Sequence, residues 1–278
     1  MAEQQKNGCT EESCASCAHA GSCPSKKVDM RVASNQYTNV KKVIGIVSGK
    51  GGVGKSMATA SIARELVKKG YKVGILDADI TGPSIPKMYG IHENAIGSDE
   101  GMFPCKAKDG TKIMSINLLL ENESDPVIWR GPVIAGVVTQ FWTDVLWGEL
   151  DYLLVDMPPG TGDVPLTVFQ SLPVDGVVIV SSPQDLVQMI VKKAYNMAMA
   201  MNIPVLGLIE NYSYLECPDC GKKISVFGES HIDEIAESLG VKVLGKMPID
   251  PKLAEIVEEE RFHEANNQYL EGIVDHLV

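Results

Sequence analysis

Eight consecutive residues, Gly49-Lys50-Gly51-Gly52-Val53-Gly54-Lys55-Ser56, satisfy the pattern G-x-x-x-x-G-K-[ST]. Glycines at these positions let backbone N–H groups turn inward around phosphate oxygens, and a helix after them offers the positive end of its dipole to the anion. The pattern assigns Lys55 to the β- and γ-phosphates of a nucleotide and the Ser56 hydroxyl to Mg²⁺. Carboxylates follow at strand ends. Residues 152–156 read as an apolar strand closed by Asp156, which places that carboxylate near the magnesium, through water. Asp77 and Asp79 end the strand at 72–76, on the edge where open α/β sheets bind ligands. Asp79 is the choice for orienting the attacking water, and Asp77 for an outer partner of the magnesium. The loop 158–163 could sense a γ-phosphate through a backbone N–H such as that of Gly160.

The chain has seven cysteines, six of them in two clusters. Its first twelve residues are polar, with no apolar leader stretch, so the expected compartment is the cytoplasm, where clustered thiols read as metal ligands or redox groups before disulfides. Cys217-Pro218-Asp219-Cys220-Gly221 supplies two thiolates, half of a tetrahedral set. A two-fold dimer completes such a set by bringing two pairs together on its axis. The residues alone leave zinc and an iron–sulfur cluster equally placed there. Near the N-terminus, Cys9, Cys14, Cys17 and Cys23 form a second group with His19 inside it, able to replace a thiolate. Cys105 stands alone in a loop and is not counted as a ligand.

These groups need a scaffold, and the sequence describes one. Residues 1–38 are poor in large apolar side chains and read as a Cys-rich extension that needs a ligand to order it; 39–278 read as one nucleotide-binding domain. Apolar strand candidates at 43–47, 72–76, 113–119, 152–155, 177–180, 205–209 and 243–244 alternate with helical stretches, notably 133–146, 186–201 and 232–239. After the glycine loop, Ala58, Ile62 and Leu66 repeat every four residues and Gly70 closes the helix. Short buried strands separated by helices predict an α/β fold, a mostly parallel sheet with helices on both faces. A formal charge of −11 argues against non-specific nucleic-acid binding, and no apolar run is long enough to span a bilayer.

The second lysine of the loop, Lys50, marks a resemblance to the deviant Walker A class, which includes MinD, ParA and the nitrogenase iron protein. In that class the lysine reaches the nucleotide of the other subunit, which implies a face-to-face homodimer and a catalytic role for Lys50. The resemblance also assigns Asn211 to reading adenine, hence ATP, and residues 248–250 to covering the base. Taken with DADITGPSIP (77–86), VIWRGP (127–132), DMPPGTGD (156–163) and CPDCG, the chain resembles the Mrp/ApbC family of iron–sulfur cluster carriers over residues 40–278. That resemblance implies slow ATP hydrolysis coupled to holding a [4Fe–4S] cluster on Cys217 and Cys220 of two subunits, loading by an upstream scaffold, and transfer to apo-proteins. Cys14, Cys17 and Cys23 resemble the N-terminal cluster motif of eukaryotic cytosolic relatives; the four residues between Cys9 and Cys14 are fewer than that motif has.

Two other functions compete. A MinD-like positioning ATPase would end in a basic amphipathic helix, whereas 264–278 puts Tyr269, Ile273 and Leu277 on one face with three acidic residues and no Lys or Arg. A reductase like the nitrogenase iron protein would carry single cysteines beside its switch loops rather than a later CxxC.

Overall fold

The structure is a computed structural model describing residues 30–278 apart from 81, 123–130, 185–186, 267 and 278. Its elements in chain order begin with β1 (Thr38–Ser48), α1 (Lys55–Lys68), β2 (Val73–Asp77) and the one-turn α2 (Ile85–Met88). Short strands follow: β3 (Gly97–Ser98), β4 (Gly101–Met102), β5 (Cys105–Lys106) and β6 (Lys112–Met114). Next are α3 (Gly131–Thr143), β7 (Gly148–Asp156), α4 (Asp163–Ser171), β8 (Gly176–Ser181), α5 (Val187–Ala200) and β9 (Val205–Glu210). The chain finishes with β10 (Leu215–Glu216), β11 (Lys223–Ile224), α6 (Ile232–Leu239), β12 (Val243–Lys246), α7 (Pro251–Glu258) and α8 (Val274–Leu277).

Eight strands form the main sheet in the order β12-β9-β8-β1-β7-β2-β6-β5. Every pairing is parallel except β5 with β6, at the edge. The central strands are apolar on both sides because both faces are covered. Alternate residues of β1 show it: Val43 and Val47 enter one buried cluster, with α3–α6, while Ile44 and Ile46 enter the other, with α1, α2 and the C-terminal turns. In α1, Ala58, Ile62 and Leu66 are fully buried, as their spacing predicts, and Gly70 takes a positive φ of 88° just beyond its end. One compact unit comprises Arg31–Val278, so packing starts ahead of the predicted boundary at 38. Asn35 helps: its side-chain amide donates to the carbonyls of Thr143 and Val145.

Two expected elements differ. The apolar run 113–119 is a strand only to Met114; Ile116–Leu119 is a 3₁₀ turn. Ser115 separates them, buried, with its hydroxyl donating to Asp77. The stretch 264–278 is not a continuous helix either: Gly272 (φ 87°) separates a 3₁₀ turn at Gln268–Leu270 from α8. Leu270, Ile273, Val274 and Leu277 are buried in the chain's own core, so this face is not offered to a lipid surface. Among the described residues, no helix is long and apolar enough to cross a membrane.

The sheet centre fixes the site, so cutting into it should be expensive. Ile75, in β2, is fully buried between α1 and its strand neighbours. Ile75→Ala should destabilise the fold by about 2–5 kcal/mol, read as a lower denaturant midpoint in urea unfolding.

Candidate functional site

All the predicted phosphate-site residues gather at the carboxyl ends of β1, β2 and β7, because parallel strands of one sheet end at the same edge. Register brings Asp77 and Asp156 side by side on β2 and β7, and Asp156 also faces Ile46 of β1, three residues before Gly49 opens the glycine loop. The loop then turns into α1 through Gly54, which sits at φ 73°. A Cβ there would lie 2.1 Å from Asn211 Nδ2, so backbone conformation and space both require glycine. A Cβ on Gly49 would lie 2.0 Å from the Ile190 side chain of α5.

The charges under the loop are tightly organised. Lys55 Nζ lies 2.6 Å from Asp156 Oδ1 and 3.9 Å from Asp79 Oδ2. The Ser56 hydroxyl donates to Asp156 Oδ2 at 2.6 Å, and Thr59, one turn along α1, donates to Oδ1 at 2.9 Å. Asp156 is fully buried and thus satisfied on both oxygens. Asp77 is fully buried too, but its contacts are longer: the Ser115 hydroxyl at 3.3 Å and the Asp79 backbone N–H at 3.2 Å. Burial, followed by the neighbouring negative charge of Asp156, pushes the Asp77 carboxyl well above the usual carboxylate range; Lys55 opposes this incompletely.

A cleft of about 390 Å³ opens over the loop. Lys50, Gly51–Ser56 by position, Asp79, Pro159, Tyr212 and Val257 line it. Asn211 is placed beneath the loop rather than in the cleft, fully buried, its amide donating to the Val53 carbonyl at 3.0 Å. Tyr212, which sequence reading does not single out, is the aromatic side chain facing the cleft, on a backbone turned to φ 58°. Asp250, expected near the base, caps α7 by accepting from the backbone N–H groups of Lys252 and Leu253. The Gly160 N–H, expected to face a γ-phosphate, donates to the Ser48 carbonyl at 2.8 Å. Lys50 donates to the Gln184 amide oxygen of its own chain.

Cys217 and Cys220 lie at the tip of the β10–β11 hairpin, half-exposed and exposed. The turn closes with Gly221 N–H on the Cys217 carbonyl (2.9 Å) and Cys217 N–H on the Lys222 carbonyl (3.0 Å), helped by Gly221 at φ 69°. Backbone N–H groups of Asp219 and Cys220, and the Cys220 thiol, favour the charged form of the Cys217 sulfur and pull its pKa down. Among the described residues, no group of three or more His, Cys, Asp and Glu could hold a metal ion. The hairpin is tied to the segment that enters α7: Leu215 bridges Ile249, and the Ile249 N–H donates to the Tyr214 carbonyl at 2.7 Å. Cys105 lies in edge strand β5 rather than a loop, with its thiol 3.5 Å from the Glu93 carbonyl. Cys9, Cys14, Cys17, Cys23, His19 and residues 127–130 of the VIWRGP segment lie outside the described residues.

A glycine loop between a central parallel strand and a helix, with a buried strand-end carboxylate paired to its lysine, defines a P-loop NTPase of the MinD-like fold. Solved structures agree. A nucleotide-binding protein from Archaeoglobus fulgidus, in complex with ADP and with cobalt found, superposes with a TM-score of 0.76 at 43% identity, covering 84% of this chain and 92% of that one. The MinC:MinD complex of Aquifex aeolicus shares the fold at a TM-score of 0.60 and 22% identity, over 85% and 93% of the two chains. The family described as ParA: NUBPL iron-transfer P-loop NTPase matches residues 39–277, and the chain belongs to it. Its relatives include an iron–sulfur cluster carrier protein of Clostridium perfringens, 49% identical over 91% of this chain and 94% of that one. A protein of the same name from Methanocaldococcus jannaschii is 47% identical over 87% and 86%.

Two measurements follow from the loop geometry. Gly54→Ala should weaken ADP binding about ten- to a hundredfold, the equivalent of roughly 1–3 kcal/mol of backbone strain, read by titration calorimetry. The Asp77 carboxyl holds its proton to higher pH folded than unfolded, so stability falls as pH rises from its unfolded to its folded pKa. Without nucleotide or divalent metal, Asp77→Asn should therefore raise Tm in neutral buffer and the gain should shrink in acid; a constant gain would remove the titration argument.

Proposed function

We propose that this chain is an ATP-hydrolysing carrier that holds a [4Fe–4S] cluster between two copies of itself and passes it to apo-proteins. One observation carries the reading: two thiols, one half-exposed and one exposed, on a hairpin bridged to the segment that enters α7, with no third ligand among the described residues. A second copy related by a two-fold axis supplies the other pair. The relatives named iron–sulfur cluster carrier proteins and the ADP-bound relative support cargo and nucleotide respectively.

The chemistry follows from the charges. Phosphate oxygens arriving over Gly49–Lys55 by position compete with Asp156 for the Lys55 ammonium, which lies 2.6 Å from that carboxylate without them. Ser56 and Asp156, already 2.6 Å apart, present the hydroxyl and carboxylate that would hold Mg²⁺, which would neutralise phosphate charge. Asp77 supports that pair from the adjacent strand. Asp79, lining the cleft, orients the attacking water. Lys50 must leave Gln184 to reach the other copy's nucleotide, and the Gly160 N–H must leave Ser48 to meet a γ-phosphate. Hydrolysis thus waits on assembly, and the rate is slow. Asn211 serves the nucleotide by supporting Val53 from below, with Tyr212 beside the cleft. Cys14, Cys17 and Cys23, with Cys9 or His19, are retained as ligands of a separate N-terminal cluster. A cytoplasmic setting and loading by a scaffold complete the proposal.

The test uses anaerobically reconstituted protein. Cys217→Ser with Cys220→Ser should lose about one [4Fe–4S] per dimer by iron and sulfide assay and lose transfer, with ATP binding kept. In the same preparation series, Asp79→Ala should bind ATP without hydrolysing it, and Lys50→Ala should lose hydrolysis more than binding. Iron unchanged in the double cysteine variant rejects the bridging cluster, and zinc in the native protein replaces it with a structural Cys₄ site.

A further inference from the structure

A second cavity, of about 590 Å³, opens beyond the carboxyl ends of β8 and β9, bounded by the start of α5 and by the chain between β11 and α6. Its wall includes Glu210, the last residue of β9, which is fully buried. One of its oxygens accepts from the Ser213 hydroxyl at 2.5 Å; the other, Oε1, has no hydrogen-bond partner among the described residues. The buried hydroxyl of Ser182, adjacent to Pro183 in the wall, also lacks one among them. A buried carboxylate oxygen left unmatched is costly, and its natural complement is a cationic donor. The rim adds Glu229 and Glu234, the latter 3.4 Å from His231, and among the described residues no lysine or arginine lines the cavity. Lys50, which lines the other cleft, donates to the wall residue Gln184.

The apolar part of the wall is as informative. Phe227 and Met189 are 42% and 50% exposed, unusual for side chains of this size, and both line the cavity. Ile224 and Val226, on the stretch leading to it from the cysteine hairpin, are 44% and 48% exposed. An apolar collar around a buried negative oxygen suits a guanidinium or ammonium on a methylene stem, with a second apolar side chain beside it.

We propose that this cavity docks an arginine or lysine side chain of the apo-protein that receives the cluster. The proposal rests on the carrier reading above. It is favoured by continuity: Phe227 follows Cys220 by seven residues along the chain, so a recipient anchored here lies within about 25 Å of the thiols that would release the cluster. Charge complementarity then sets orientation and apolar contact sets residence time.

The experiment uses full-length, cluster-loaded protein and an apo-protein that gains activity on loading, titrated over concentration. Glu210→Gln removes the charge at constant shape; Glu229→Gln with Glu234→Gln does so at the exposed rim, where folding is not at stake. In each, the half-saturating recipient concentration should rise about tenfold or more, while maximal transfer rate, iron content and ATP hydrolysis stay unchanged. Agmatine, a guanidinium on an apolar stem, should compete with transfer by the native protein and not with transfer by Glu210→Gln. Unchanged half-saturation in both variants overturns the proposal. So does an altered dimer mass in Glu210→Gln, which would place a side chain of the second copy in the cavity. A native protein that loads no iron removes the carrier reading instead and the recipient with it, a result visible before any apo-protein is added; agmatine that then fails to bind the native chain by calorimetry removes the cation site as well.

Discussion

The Lys55–Asp156 pair is the contact on which the rest of the molecule is arranged. It joins the first turn of α1 to the end of β7, two elements about a hundred residues apart in sequence, and it does so in near-complete burial. Removing one partner from such a pair leaves an uncompensated charge, at a cost of about 3–5 kcal/mol. Ser56 and Thr59 brace the carboxylate from α1, and Asp77 adds a second acid against it from β2. The two buried acids are thereby a store of binding capacity for a magnesium ion, with the Asp77 carboxyl held toward its protonated form until such a charge arrives. The two covered faces of the sheet keep water away from that store and hold its geometry.

The same economy extends outward. Lys50 on Gln184 and the Gly160 N–H on Ser48, the groups proposed above to meet a nucleotide, are each held by a single contact that can be exchanged. Glycine is required where the loop meets Asn211 because that amide fills the space a side chain would need. The site is therefore built from close backbone approach as much as from charged groups.

Much of this was legible in the sequence, for identifiable reasons. Parallel strands buried on both faces are written as continuous apolar runs, so β1, β7, β8 and β9 could be placed to within a few residues. The glycine loop is contiguous and its eight positions declare themselves. Contacts across long separations did not: Thr59 reads as an ordinary helix residue, and nothing in the text around Tyr212 shows that it faces the cleft. Likeness assigns Asn211 to the adenine, whereas its burial under Val53 depends on where β9 ends in space. Helical spacing of Tyr269, Ile273 and Leu277 misled because Gly272 permits a turn and the core accepts those side chains without a helix. Ser115 likewise looked like part of an apolar strand, while Asp77 needs its hydroxyl.

The bridge between Leu215 and Ile249 has one more consequence. It ties the cysteine hairpin to the segment that enters α7, and Val257 of α7 forms part of the nucleotide cleft. On the carrier reading proposed above, a cargo held by the hairpin and a nucleotide held in the cleft share a free-energy cycle. Whatever factor nucleotide binding applied to cargo affinity, cargo would return to nucleotide affinity in equal measure. Loaded and empty chains would then differ in nucleotide occupancy at one and the same ATP concentration, so that each copy reports its load through the nucleotide it keeps.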